Sequence, residues 1–160
     1  MHPFLKWPLA ALTLIGSILG AGLTLLTIPL ALGPSADSST TLPFFVASAF
    51  YALGIVAGLR FANNDARRGL MRLYYALQIP WLSSPLIGLR FVSGANVSAA
   101  LIGGTPSFSY SLGSVWHFGS SHAAPWGLGL NLLALAILFL LRGRPQNGSK
   151  TARRKGRRKK

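Results

Sequence analysis

Residues 73–92 read LYYALQIPWLSSPLIGLRFV. Whether this stretch crosses a membrane as a helix decides the fold, because everything after it changes sides with it. A spanning helix needs roughly 20 mostly apolar residues, and the stretch is uncharged up to Arg90. It is also interrupted by Gln78, Pro80, Ser83, Ser84 and Pro85. Each proline removes a backbone hydrogen bond and pushes a helix to kink. Seven Leu and Ile residues at about −0.5 kcal/mol each favour insertion by only about 3.5 kcal/mol before the polar groups count against it.

The surrounding sequence supplies the missing argument. Only 11% of the 160 residues are charged, against about 25% in a soluble domain. No charge falls between Lys6 and Asp37, Asp37 and Arg60, Arg72 and Arg90, or Arg90 and Arg142. Spans are therefore expected at 8–32, 43–61, 73–92 and 125–141. The first is too long for the apolar region of a cleaved signal peptide, the rival reading. Basic residues accumulate on the cytoplasmic side of a membrane protein. With the N-terminus inside, Lys6, Arg60, Arg67, Arg68, Arg72 and ten residues of 142–160 all lie inside, and only Arg90 lies outside, near enough to the boundary to snorkel. If 73–92 failed to cross, the ten-charge tail would be carried outward. Four crossings are the expectation.

The expected fold class is thus an all-α membrane protein, a four-helix transmembrane bundle over residues 1–141. The outer loop 93–124 has two readings: an irregular loop with interfacial aromatics, or a small β-hairpin between helices 3 and 4. Phe108, Tyr110 and Leu112 alternate with serines, Gly113-Ser114 offers a turn, and Val115–Phe118 would return, with 97–102 as a third strand. Small residues four apart (Gly16 and Gly20, Gly54 and Gly58, Ser84 and Gly88) suit close helix packing within one chain.

Function is less legible. With no cysteine in the chain, disulfides, thiolate chemistry and cysteine-based zinc sites are excluded. The chain has two acids and three histidines. His117, His122 and Asp37 share the outer side, but they form no metal or triad motif, so no enzyme, cofactor or metal is expected. Asn64 and Asp65 read as helix caps. Asn96-Val97-Ser98 matches a glycosylation acceptor, a pattern frequent by chance. Gln78 and Asn131 are amides at membrane depth that need interhelical partners.

Two functions follow as expectations. One is a non-catalytic protein acting by interaction, with Phe108, Tyr110, Trp116 and His117 of the outer loop meeting another membrane protein or a second copy. The other is a small transport or channel component built around Gln78, Ser83, Ser84 and Asn131, since broken helices free backbone groups for solutes. Residues 142–160 are expected to be a disordered basic tail. There Arg153, Arg154, Lys155, Arg157, Arg158, Lys159 and Lys160 would contact anionic inner-leaflet lipids rather than nucleic acid. Arginine outnumbers lysine eleven to five. With abundant Ala, Gly and Leu, this points to a bacterial inner membrane, both termini cytoplasmic.

Overall fold

The computed structural model describes residues 3–34, 37–64, 68–119 and 124–142. Two helices, α1 (Pro3–Leu25) and α3 (Ser38–Asn63), are long and apolar enough to cross a membrane. Only 39% of the most apolar window of each is buried, so most of that surface faces outward, unlike the core helix of a soluble protein. Thr13 and Thr24 of α1 donate their hydroxyls to the carbonyls of Leu9 and Gly20, at 2.8 Å each. Both polar groups are thereby satisfied within the helix. A short helix, α2 (Ile28–Leu32), follows, opened by Pro29. Asp37 caps α3, accepting the Thr40 amide at 3.0 Å. The Ser39 hydroxyl and that amide hold its carboxyl below the usual carboxylate range.

An all-α four-helix bundle does not form. Residues 73–92 split into a helix, α4 (Gly69–Leu77), and two strands, β1 (Pro80–Ser83) and β2 (Gly88–Val92). Pro80 has no amide hydrogen to donate to a preceding turn and disfavours helical geometry at Ile79, so the helix ends there rather than kinking. Pro85 falls in the turn between the strands. There the Ser84 hydroxyl accepts the Ile87 amide at 2.9 Å and donates to the Ile87 carbonyl at 2.8 Å. The segment 125–141 divides likewise into β6 (Gly127–Asn131) and α5 (Leu132–Leu141). Asn131 caps α5 by accepting the Ala134 amide at 3.1 Å. At the other end of α5, Arg72 donates from Nε (3.0 Å) and Nη2 (2.6 Å) to the Leu141 carbonyl. The two helix–strand composites run side by side, joined at the change of structure by the Asn131 amide on the Ile79 carbonyl (2.8 Å).

The outer loop is neither irregular nor the expected hairpin. It contributes β3 (Ala95–Ile102), β4 (Thr105–Leu112) and β5 (Val115–Gly119) to a six-stranded antiparallel sheet of order β4-β3-β6-β1-β2-β5. Gly103-Gly104, with φ of 56° and 86°, makes the tight turn between β3 and β4. Gly113-Ser114 instead joins the two opposite edge strands. In a flat sheet those edges would stand about 24 Å apart at the usual strand spacing of about 4.8 Å. Three Cα steps reach only about 11 Å. The sheet must therefore curl into an open barrel whose edges approach at that end. The link between β2 and β3, Ser93-Gly94, closes the same end, and the Gly113 amide donates to the Gly94 carbonyl at 2.8 Å.

This closed end rests on the middle of α1. Ser114 donates its hydroxyl to the Gly16 carbonyl at 2.6 Å, and a Cβ on Gly16 would lie 2.5 Å from the Gly94 nitrogen. Part of the convex side packs on the helices through an aromatic core. Phe91 meets Phe50 at 5.0 Å, Tyr51 at 5.1 Å and Tyr74 at 6.0 Å between ring centroids, and Phe118 meets Phe50 at 5.8 Å. Two hydroxyl pairs tie α4 to α1: Ser17 with Tyr74 at 2.7 Å and Thr13 with Tyr75 at 2.9 Å.

Candidate functional site

Strand register assigns every side chain to one side of the curl. Across the rows, Ser107, Ala100, Gly129, Trp81, Arg90 and His117 share one face, and Ser109, Ser98 and Asn131 share it one step lower. Asn96, Ser98, Ala100 and Asn131 on this face are buried, so it is the concave one. The opposite face carries Val97, Leu101, Phe108, Tyr110, Leu112, Leu128 and Leu130, all exposed, with Phe108 at 79% and Tyr110 and Leu112 at 89%. The polarity of the sheet is reversed relative to one in water. Small polar residues point inward and large apolar ones outward, the alternation of strands that face lipid or an apolar partner.

The lumen has a polar floor. Ser98 and Ser109 share a hydroxyl hydrogen bond at 2.7 Å, and Asn96 donates to Ser98 at 3.2 Å. Asn96 Oδ1, Asn131 Nδ2 and Gln78 Nε2 are buried without a hydrogen-bond partner among the described residues. Higher up, the Arg90 guanidinium lies over the Trp81 ring at 4.9 Å. Trp81 in turn covers Gly129, where a Cβ would come within 2.6 Å of the indole. His117 covers Gly88 in the same way.

The expected site residues are only partly brought together. Asn131 lies on the lumen floor, His117 on its wall. Gln78 sits below, its Oε1 accepting the Ser93 amide at 3.0 Å. Ser83 and Ser84 hold the chain instead, Ser83 on the Pro125 carbonyl at 3.1 Å and Ser84 in its turn. Phe108 and Tyr110 project from the convex face. Trp116 does not join them. It stacks on Phe118 at 6.2 Å between ring centroids and, with Thr27, Leu30, Ser39 and Thr40, lines a cavity of about 180 Å³ beside α2. His122, Asp65, Arg67 and the basic run 143–160, including Arg153, Arg154, Lys155, Arg157, Arg158, Lys159 and Lys160, lie outside the described residues.

Sequence reasoning missed Trp81, Ser98 and Ser109, and it assigned Arg90 to the lipid boundary. The serines at 107, 109 and 111 carried the signal: they alternate with apolar residues over a full strand. Among the described residues no three metal-ligating side chains come together. Comparison with family models, with curated proteins and with solved structures finds no match to this chain.

Proposed function

We propose that this chain is a non-catalytic membrane protein that acts by interaction within the bilayer, docking a membrane-embedded partner on the convex face of β3 and β4. The reversed polarity of the sheet carries this reading. The closed end of the sheet meets α1 at mid-height, so hydrocarbon around α1 would also reach the apolar convex face. Strand β4 is an edge, and its turn geometry leaves the backbone groups of Phe108, Tyr110 and Leu112 unpaired within the sheet. In lipid, unpaired backbone groups cost several kcal/mol each, which favours a protein neighbour over lipid alone along this edge.

The membrane reading extends to orientation. Lys6 at the start of α1, Arg60 at the end of α3, Arg68 and Arg72 of the α4 turn and Arg142 after α5 lie at one end of the antiparallel α1–α3 pair. That end is the cytoplasmic one in a multi-pass protein of a bacterial inner membrane, with both termini inside. The tail 142–160 would hold the inner leaflet, each cation contributing up to about 1 kcal/mol.

The test is a photo-crosslinking residue at Leu101 in the native membrane. A discrete adduct is expected, reduced at least about tenfold by combined Phe108→Ser, Tyr110→Ser and Leu112→Ser, the scale of losing interface anchors. The absence of any adduct would end this reading. A second reading, a small transport component, draws on the unpartnered amides of Gln78, Asn96 and Asn131 beneath the lumen. It expects solute flux in liposomes that Gln78→Leu abolishes, and flux equal to that of empty liposomes removes it.

A further inference from the structure

Arg90 is the cation that the strand register turns into the lumen. No acid shares its row: Trp81 lies beneath it, the exposed His117 beside it across the β2–β5 pair, and Ser107, Ala100 and Gly129 along the same row. The whole chain has two acids. Asp37 is occupied at the start of α3 by Ser39 and Thr40, and Asp65 lies outside the described residues. No carboxylate therefore faces Arg90 among the described residues. Arg90 is half-buried on this face, and a guanidinium drawn partly out of water with no carboxylate beside it favours a compensating negative charge. The Trp81 face offsets part of the desolvation cost. A planar guanidinium also presents two parallel donors that match an oxyanion.

We propose that the lumen binds an oxyanion of the phosphate class, with Arg90 as its principal ligand, Trp81 as the platform that orients the guanidinium, and His117 as a flanking donor. The open end lies away from the basic end of the helices. An anion enters either as a free phosphate from solution or as the phosphate of a lipid headgroup. The site does not depend on the docking surface, which is on the opposite face of the sheet.

The test has two arms, both with the full-length protein in nanodiscs. Inorganic phosphate is titrated calorimetrically in nanodiscs of phosphatidylcholine. Separately, the anionic lipid retained by protein reconstituted from mixed phosphatidylcholine and phosphatidylglycerol is quantified by mass spectrometry. A saturable phosphate isotherm weakened about tenfold or more by Arg90→Gln, the loss of a charge-assisted bidentate contact, supports the site with a soluble source. Selective retention of phosphatidylglycerol that Arg90→Gln abolishes supports it with a lipid source. His117→Ala is expected to weaken either signal by a few-fold while Trp81 and Arg90 stay in place, which keeps the question answerable if Arg90→Gln unfolds. Binding in neither arm, or binding unchanged in both variants, overturns the proposal.

Discussion

At the scale of single residues, the helical core depends on missing side chains as much as on those present. Gly54 of α3 faces the Ser17 hydroxyl and the Tyr74 ring, so a methyl group there would collide with both, its Cβ falling 2.5 Å from two ring carbons. Gly54→Ala is expected to destabilise the protein by about 1–3 kcal/mol, the usual cost of overpacking. Gly22→Ala meets nothing within 4 Å and gains helix propensity, so it should be neutral or stabilising by up to about 1 kcal/mol. Thermal unfolding of the two variants in one detergent checks the contrast. Equal effects would mean that α1 and α3 do not pack as described. The small-residue spacing that marks Gly54 was visible in the sequence. Its partner was not, because Tyr74 comes from a segment whose helix ends within a turn of it.

At the scale of elements, proline and glycine decide where helix gives way to strand. Residues 73–92 are apolar enough to resemble a span, yet Pro80 ends the helix and the strand finds a partner in β6. Residues 127–131 carry two glycines and end in Asn131, a cap that starts a new helix rather than continuing one. The alternation at residues 107–112 was legible as a strand, but its pairing was not. Two residues, Gly113 and Ser114, suit a hairpin turn locally, and only the curl of the whole sheet lets them join opposite edges. That curl also sets a depth scale for β4. Leu112 adjoins the end of the sheet that rests on the middle of α1, whereas Pro106 lies near the far turn. Leu112→Arg should cost about 2–4 kcal/mol in a bilayer and Pro106→Arg about 0–1 kcal/mol, as for lipid-facing strand positions at the midplane and the interface. Reversible unfolding from liposomes in denaturant measures the two. Equal costs would put the sheet outside the hydrocarbon.

At the scale of the whole molecule, the distribution of charge and the direction of the helices agree. The antiparallel α1–α3 pair brings Lys6 and Arg60 to one end, and α4 and α5 bring Arg72 and Arg142 to the same end. The chain has no cysteine, so single cysteines report on sidedness without background. Cysteine at Lys6 or Arg142 should react with an impermeant reagent only from the cytoplasmic side, and cysteine at Ser39 only from the outer side. Labelling of Lys6→Cys and Ser39→Cys from the same side would refute the spanning arrangement.

Membrane-compatible apolar lengths, the gathering of cations and the lack of cysteine could all be read from the order of residues alone. Each depends on composition along the chain and on no contact between distant segments. The division of two apparent spans into helix and strand, the reversed sheet and the cation in its lumen could not. Backbone groups in a strand are satisfied only by another strand, so a segment's state depends on which neighbour the folded chain brings beside it. For residues 80–83 that neighbour, residues 127–130, is more than forty positions away.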